Sequence, residues 1–120
     1  MVSVGEVARV LGRGCFPLKR ESDCQLAIDG HLRAAFPGVA ISREHRLSGR
    51  DRPDWLIDGR FVVEAKVHGA VRAKIERQLQ RYAEHDAVEG IVLATGRSII
   101  LPATIGGKPV AVVNLGEAWL

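Results

Sequence analysis

The chain has 120 residues, 47% hydrophobic and 26% charged, with a formal net charge of +3. That length suits one domain able to bury about two-thirds of its unfolded surface, and the balance excludes a disordered chain. No apolar run approaches the length of a bilayer span and no secretory pattern opens the chain, so no membrane partner and a cytoplasmic location are expected. Two cysteines, Cys15 and Cys24, cannot complete a four-cysteine metal site, and in that compartment both are expected as free thiols.

Taken in order, residues 3–12 predict a short amphipathic helix with Ser3 as N-cap and Gly12 as stop. The phrase is similar to the first helix of a helix-turn-helix. No second helix follows at the spacing that motif needs, so a packing role is expected instead. Gly12, Gly14 and Pro17 mark a loop. A second helix is expected over 21–36, ending at Pro37-Gly38, with Cys24, Ile28, Leu32 and Ala35 on its inner face. Glu21 lies one turn before Cys24 on that face, and Asp23 and Asp29 are further acids on the same helix. Residues 39–47 alternate as a strand, and 48–52 read as a polar, basic loop.

Residues 54–66 contain two short apolar runs joined by Asp58-Gly59, a strong hairpin signal. In the second run Phe61, Val63, Ala65 and Val67 point one way, and Val62, Glu64, Lys66 and His68 the other. A two-residue loop would send Asp54 to the face opposite Glu64. A three-residue loop, Ile57-Asp58-Gly59, pairs Asp54 with Val62 and gathers Asp54, Glu64 and Lys66 on one face; this odd-length loop is the expectation. A helix follows over 70–86, with Val71, Ile75, Gln78, Leu79 and Tyr82 inward. Gln78 and Tyr82, four apart, are neighbours. Ile91 to Ala94 is a continuous apolar run, as in a buried parallel strand, so residues 61–94 predict a right-handed βαβ crossover. Further strands are expected at 99–101 and 110–115, separated by Gly106-Gly107.

Pro53-Asp54 followed by Glu64-Ala65-Lys66 at the end of a hydrophobic strand resembles the PD-(D/E)XK nuclease superfamily. Gln78-Leu79-Gln80-Arg81-Tyr82 is similar to the Gln-x-x-x-Tyr motif of RecB-like and phage-type exonucleases. The resemblance covers about residues 20–95, with 1–19 an N-terminal helix and loop and 96–120 C-terminal strands. It implies one α/β domain with a central mixed sheet flanked by helices, a restriction-endonuclease-like α-β-β-β-α-β core. It also implies a metal-dependent deoxyribonuclease. Asp54, Glu64 and the Ala65 carbonyl would ligate Mg²⁺ or Mn²⁺, Glu21 would serve as an extra acid, and Lys66, Gln78 and Tyr82 would complete the catalytic set.

Between Arg43 and Arg81 there are ten Lys or Arg residues against six carboxylates, which suits a polyanion held over an acidic centre. Arg50, Arg52, His68, Arg72, Lys74 and Arg81 are the expected nucleic-acid contacts, with DNA as partner and RNA left open. So small a chain suggests a homo-oligomer. A structure-specific endonuclease similar to Holliday-junction resolvases, and a non-catalytic nucleic-acid-binding subunit, are the competing readings. The resemblance points to DNA repair or recombination of a phage or mobile-element kind.

Overall fold

The computed structural model describes residues 2–119. Its helices are α1 (Val4–Arg13), α2 (Glu21–Ala35) and α3 (Arg72–Ala83). Its strands are β1 (Ile41–Arg43), β2 (Trp55–Ile57), β3 (Phe61–Lys66), β4 (Gly90–Thr95), β5 (Thr104–Ile105) and β6 (Lys108–Asn114), followed by a 3₁₀ turn, Leu115–Trp119. The strands form one mixed sheet in the order β1-β2-β3-β4-β6-β5. The first three run antiparallel as a meander; β3, β4 and β6 are mutually parallel, and β5 returns antiparallel on β6.

Three layers result from the strand alternation. Phe61, Val63, Ala65 and Val67 join Val92 and Ala94 in a core with the buried faces of α1 and α2. Val62 faces the other way with Ile91 and Leu93, against Ile75, Leu79 and Tyr82 of α3. Burial of each of those three α3 side chains contributes about 2 kcal/mol. Glu64 and Lys66 share the parity of Val62, and therefore the α3 side of the sheet. Among the described residues no helix is long and apolar enough to cross a membrane.

Ser3 caps α1 as its sequence implies, its Oγ accepting from the Glu6 amide at 3.1 Å. Gly12, expected as the stop, lies inside the helix, and the chain leaves it at Gly14. In α2 the inner face is Cys24, Ile28 and Leu32, and the ring of Phe36 completes it; Ala35 is exposed. The Cys24 thiol is pushed up to about 11 by burial and, secondarily, by the Glu21 carboxylate, which leaves it protonated and inert. Cys15 is exposed, and both thiols are free.

Several expected boundaries move. The strand expected over 39–47 shrinks to Ile41–Arg43, because Glu44 takes a left-handed φ of 50° and turns the chain out of the sheet. Val71 is not an inner residue of α3; it is the extended residue before the helix and is 66% exposed. Residues 99–101 form no strand. Ile99 and Leu101 instead plug the α3-side core as a loop, and β5 occupies the sheet position beside β6.

The hairpin has an odd-length loop, shifted by one residue from the expected place. Asp58 and Gly59 both have positive φ (56° and 67°), and the Arg60 amide donates to the Ile57 carbonyl at 3.0 Å. That turn alone would be a two-residue loop. Arg60 is accommodated as an extra residue, so Ile57 pairs with Phe61, Leu56 with Val62 and Trp55 with Val63. Leu56, not Asp54, is the partner of Val62. One step on, this register puts Asp54 opposite Glu64.

Candidate active site

The two carboxylates at the end of the hairpin are cross-linked through the backbone. The Asp54 amide donates to Glu64 Oε1 at 3.1 Å, and the Ala65 amide donates to Asp54 Oδ2 at 2.8 Å. An extended residue directs its N–H and C=O towards the same side, so the Ala65 carbonyl faces the edge occupied by Asp54. The Glu64 side chain lies 3.2 Å from Lys66 Nζ through Oε2. Its Oε1 also accepts from the Tyr82 hydroxyl at 3.2 Å, and that hydroxyl accepts from Gln78 Nε2 at 2.9 Å. The i, i+4 spacing on α3 thus becomes a relay that ends on Glu64.

Glu64 is 3% exposed. Burial first, and then the neighbouring Asp54 charge, push its carboxyl up to about 7, against the pull of Lys66. Burial also raises Asp54, with Glu21 adding to the rise and the Ala65 amide and Lys66 opposing it. Tyr82 is raised well above the ordinary phenol range, chiefly by burial and then by Glu64, so it stays a donor. Two desolvated carboxylates with one ammonium between them leave negative charge incompletely balanced.

Glu21, Lys66, His68, Lys74, Gln78 and Arg81 line one cleft of about 520 Å³ between the start of α2, the end of β3 and α3. Glu64 is one side chain back from it, behind Lys66 and, through Tyr82, Gln78. Glu21 is exposed at the first turn of α2, near enough for its charge to act on Asp54. Among the described residues no three His, Cys, Asp or Glu side chains converge as a metal cage. The donors that do meet are two carboxylates, supplemented by a strand carbonyl.

Of the other expected contacts, His68, Lys74 and Arg81 line that cleft, whereas Arg50, Arg52 and Arg72 do not. Arg50 and Arg52 are exposed on the connector between β1 and β2, outside the cleft lining. Arg72 pairs with Glu76 at 2.8 Å on the outer side of α3. His68 Nε2 is 3.2 Å from the Lys19 carbonyl oxygen. Asp29 is taken up by Arg33 and by the indole N–H of Trp55, at 3.1 Å each. Arg81 reaches the cleft while its Nε donates to Asp51 at 3.0 Å.

Two features escape the sequence reading. Arg77 lines the cleft, and its spacing from Lys74 and Arg81 could have shown it on their stripe. Asp51 is 6% exposed, although it sits in a polar, arginine-rich run that reads as a loop. Its carboxylate accepts from Arg81 at 3.0 Å and contacts His85 Nε2 at 3.0 Å. No local pattern distinguishes it from its solvated neighbours. No family model, curated protein or solved structure matches the chain.

Proposed function

We propose that this protein is a metal-dependent deoxyribonuclease of the PD-(D/E)XK type. One observation carries the reading: Asp54 and Glu64 converge, with Lys66 on Glu64, behind a cleft whose lining has four Lys or Arg side chains (Lys66 itself, Lys74, Arg77, Arg81) against the single carboxylate of Glu21. The element order α2-β1-β2-β3-α3-β4 agrees with the restriction-endonuclease-like core that this reading expects. The donors fit a hard divalent ion, being oxygen throughout and short of positive charge. Asp54, Glu64 and the Ala65 carbonyl would hold it, with Glu21 at the cleft wall as a further acid. When bound, Mg²⁺ or Mn²⁺ supplies charge neutralisation at the phosphoryl oxygens and acidifies a water.

The chain's own residues do the rest. Lys74, Arg77 and Arg81 attract and seat the phosphodiester. Lys66, tethered to Glu64, orients the attacking water or meets charge that develops on the phosphate. The Tyr82 hydroxyl, itself held by Gln78, fixes Glu64 Oε1 and leaves Oε2 towards Lys66. Together these contacts preorganise the acidic centre before substrate arrives.

The test is cleavage of labelled single-stranded, linear duplex, circular, flap and four-way-junction DNA with Mg²⁺, Mn²⁺ or EDTA. Metal-dependent cutting that falls about 10²–10⁴-fold in Lys66→Ala is expected. Preference for a four-way junction would favour the resolvase-like variant of the reading over the exonuclease-like one. If no form is cut and DNA binding is indifferent to Lys66→Ala and Glu64→Ala, the enzyme reading fails.

A further inference from the structure

The loop after β4 begins against the catalytic end of β3. The Gly96 amide donates to the Lys66 carbonyl at 3.3 Å, and a Cβ on Gly96 would meet the Val67 carbonyl oxygen at 2.4 Å. Only glycine permits that approach. The next residue, Arg97, donates through Nη2 to the Ala70 carbonyl at 3.1 Å. The loop is thereby pinned to the segment entering α3. Between them lies a second hollow of about 430 Å³, walled by Ala70, Arg72, Arg97 and Ile100 among others. Ala70 also lines the cleft at Lys66, so the two hollows adjoin.

This rim has an unusual make-up. Ile100 is 80% exposed and Val71, between Ala70 and Arg72, is 66% exposed. Among the described residues these are two of the four large apolar side chains that stand out in solvent; the others, Leu26 and Trp119, are on α2 and the closing turn. Two arginines line the hollow beside Val71 and Ile100: Arg72, which also pairs with Glu76 at 2.8 Å, and Arg97. Aliphatic side chains between cations match a strand whose bases are unpaired, with base faces against the apolar groups and phosphates against the guanidinium groups. A paired duplex hides its base faces and offers them to the apolar pair only by unstacking, at about a few kcal/mol per step.

We infer that the Val71–Ile100 rim, with Arg72 and Arg97, is a binding surface for single-stranded nucleic acid that leads into the Lys66 cleft. The inference rests on the nuclease reading for what the strand is led towards. Its own claim is about binding. The unpaired strand crosses the second hollow, its bases resting on Ile100 and Val71, and reaches the cleft across Ala70. The site thus favours ends, tails and flaps over continuous duplex.

Binding measured in EDTA separates this claim from cutting. The probes are fluorescein-labelled oligodeoxythymidine, oligouridine and a blunt DNA duplex, read by anisotropy with wild type, Val71→Ser/Ile100→Ser and Arg72→Gln. The double variant is expected to weaken single-strand binding roughly 5- to 30-fold, with duplex binding changed less than about twofold. Arg72→Gln should lower the salt slope for the single strand by about 0.7. The two single-stranded probes assign the surface to DNA, RNA or both. Equal loss on the duplex, or no loss on any probe, overturns the inference. So does sedimentation showing a dimer that the double variant dissociates, since the rim would then be covered by a second copy. Absence of cutting with the expected binding pattern would remove the nuclease reading alone.

Discussion

Two buried carboxylates face α3, and they are treated in opposite ways. Asp51 meets cationic or donor groups at both oxygens, Arg81 at Oδ1 and His85 at Oδ2. The His85 contact first, and then Arg81, hold its carboxyl below the usual range against the cost of burial. Glu64 has one ammonium and a second carboxylate beside it, and its carboxyl is driven up to about 7. The first arrangement is complete in itself and ties the β1–β2 connector, three residues before Asp54, to α3. The second is stable only at a cost that a cation would offset. A fold that neutralises one buried acid so fully leaves the adjacent pair short of positive charge.

Removing the unbalanced charge should have the largest consequence. Glu64→Gln keeps an oxygen for the Asp54 amide and the Tyr82 hydroxyl while deleting the buried anion. It is expected to raise metal-free unfolding stability by about 2 kcal/mol and to reduce cutting at least about 10²-fold. Denaturant melts in EDTA beside cleavage rates check both halves; a destabilised variant would mean that Glu64 is a structural tie like Asp51.

The mirror experiment is Asp51→Ala, expected to cost about 2 kcal/mol because Arg81 and His85 lose their partner and the connector its anchor. Urea unfolding midpoints measure it. An unchanged midpoint would dissolve the contrast from the other side.

A smaller, pH-dependent effect sharpens it. The folded carboxyl of Asp51 lies below its ordinary value of 3.8. Its contribution is therefore fully present above that value and is lost as pH falls through the folded value. Thermal melts below about pH 4 should fall more steeply in wild type than in Asp51→Asn; parallel curves would show that Asp51 is not held low by its partners.

The sequence carries one of these regions far better than the other. Strand alternation in 61–67 and the i, i+4 pair Gln78 and Tyr82 are local patterns, and they assign Glu64, Lys66 and Tyr82 to one side of the sheet. The odd-length loop is legible too, because only that parity gathers the charges. Its exact register is not, since it depends on Arg60 being tolerated as an extra residue. Asp51 and His85 meet across 34 positions, and nothing local to either announces the other. Arg50 and Arg52 lie outside the cleft lining for a related reason: charge along the chain does not say towards which cleft a connector turns. Ile99 to Leu101 has the composition of a strand, but the place beside β6 is taken by a hairpin that closes more cheaply.

The indole N–H of Trp119 donates to the Phe16 carbonyl at 2.9 Å, joining groups 103 positions apart. Near it, Val7, Val10 and Leu11 of α1 share a core with Val113 and Leu115. On a growing chain α1 is therefore made long before the last strand that covers it, and its apolar stripe, though it also meets α2 and β4, is fully covered only once β6 has entered the sheet beside β4. The hairpin with Asp54 and Glu64 needs no such delay, because its pairing closes within a dozen residues. Assembly should run from the acidic hairpin outward, with the clasp between Phe16 and Trp119 the last contact to form and the first to open.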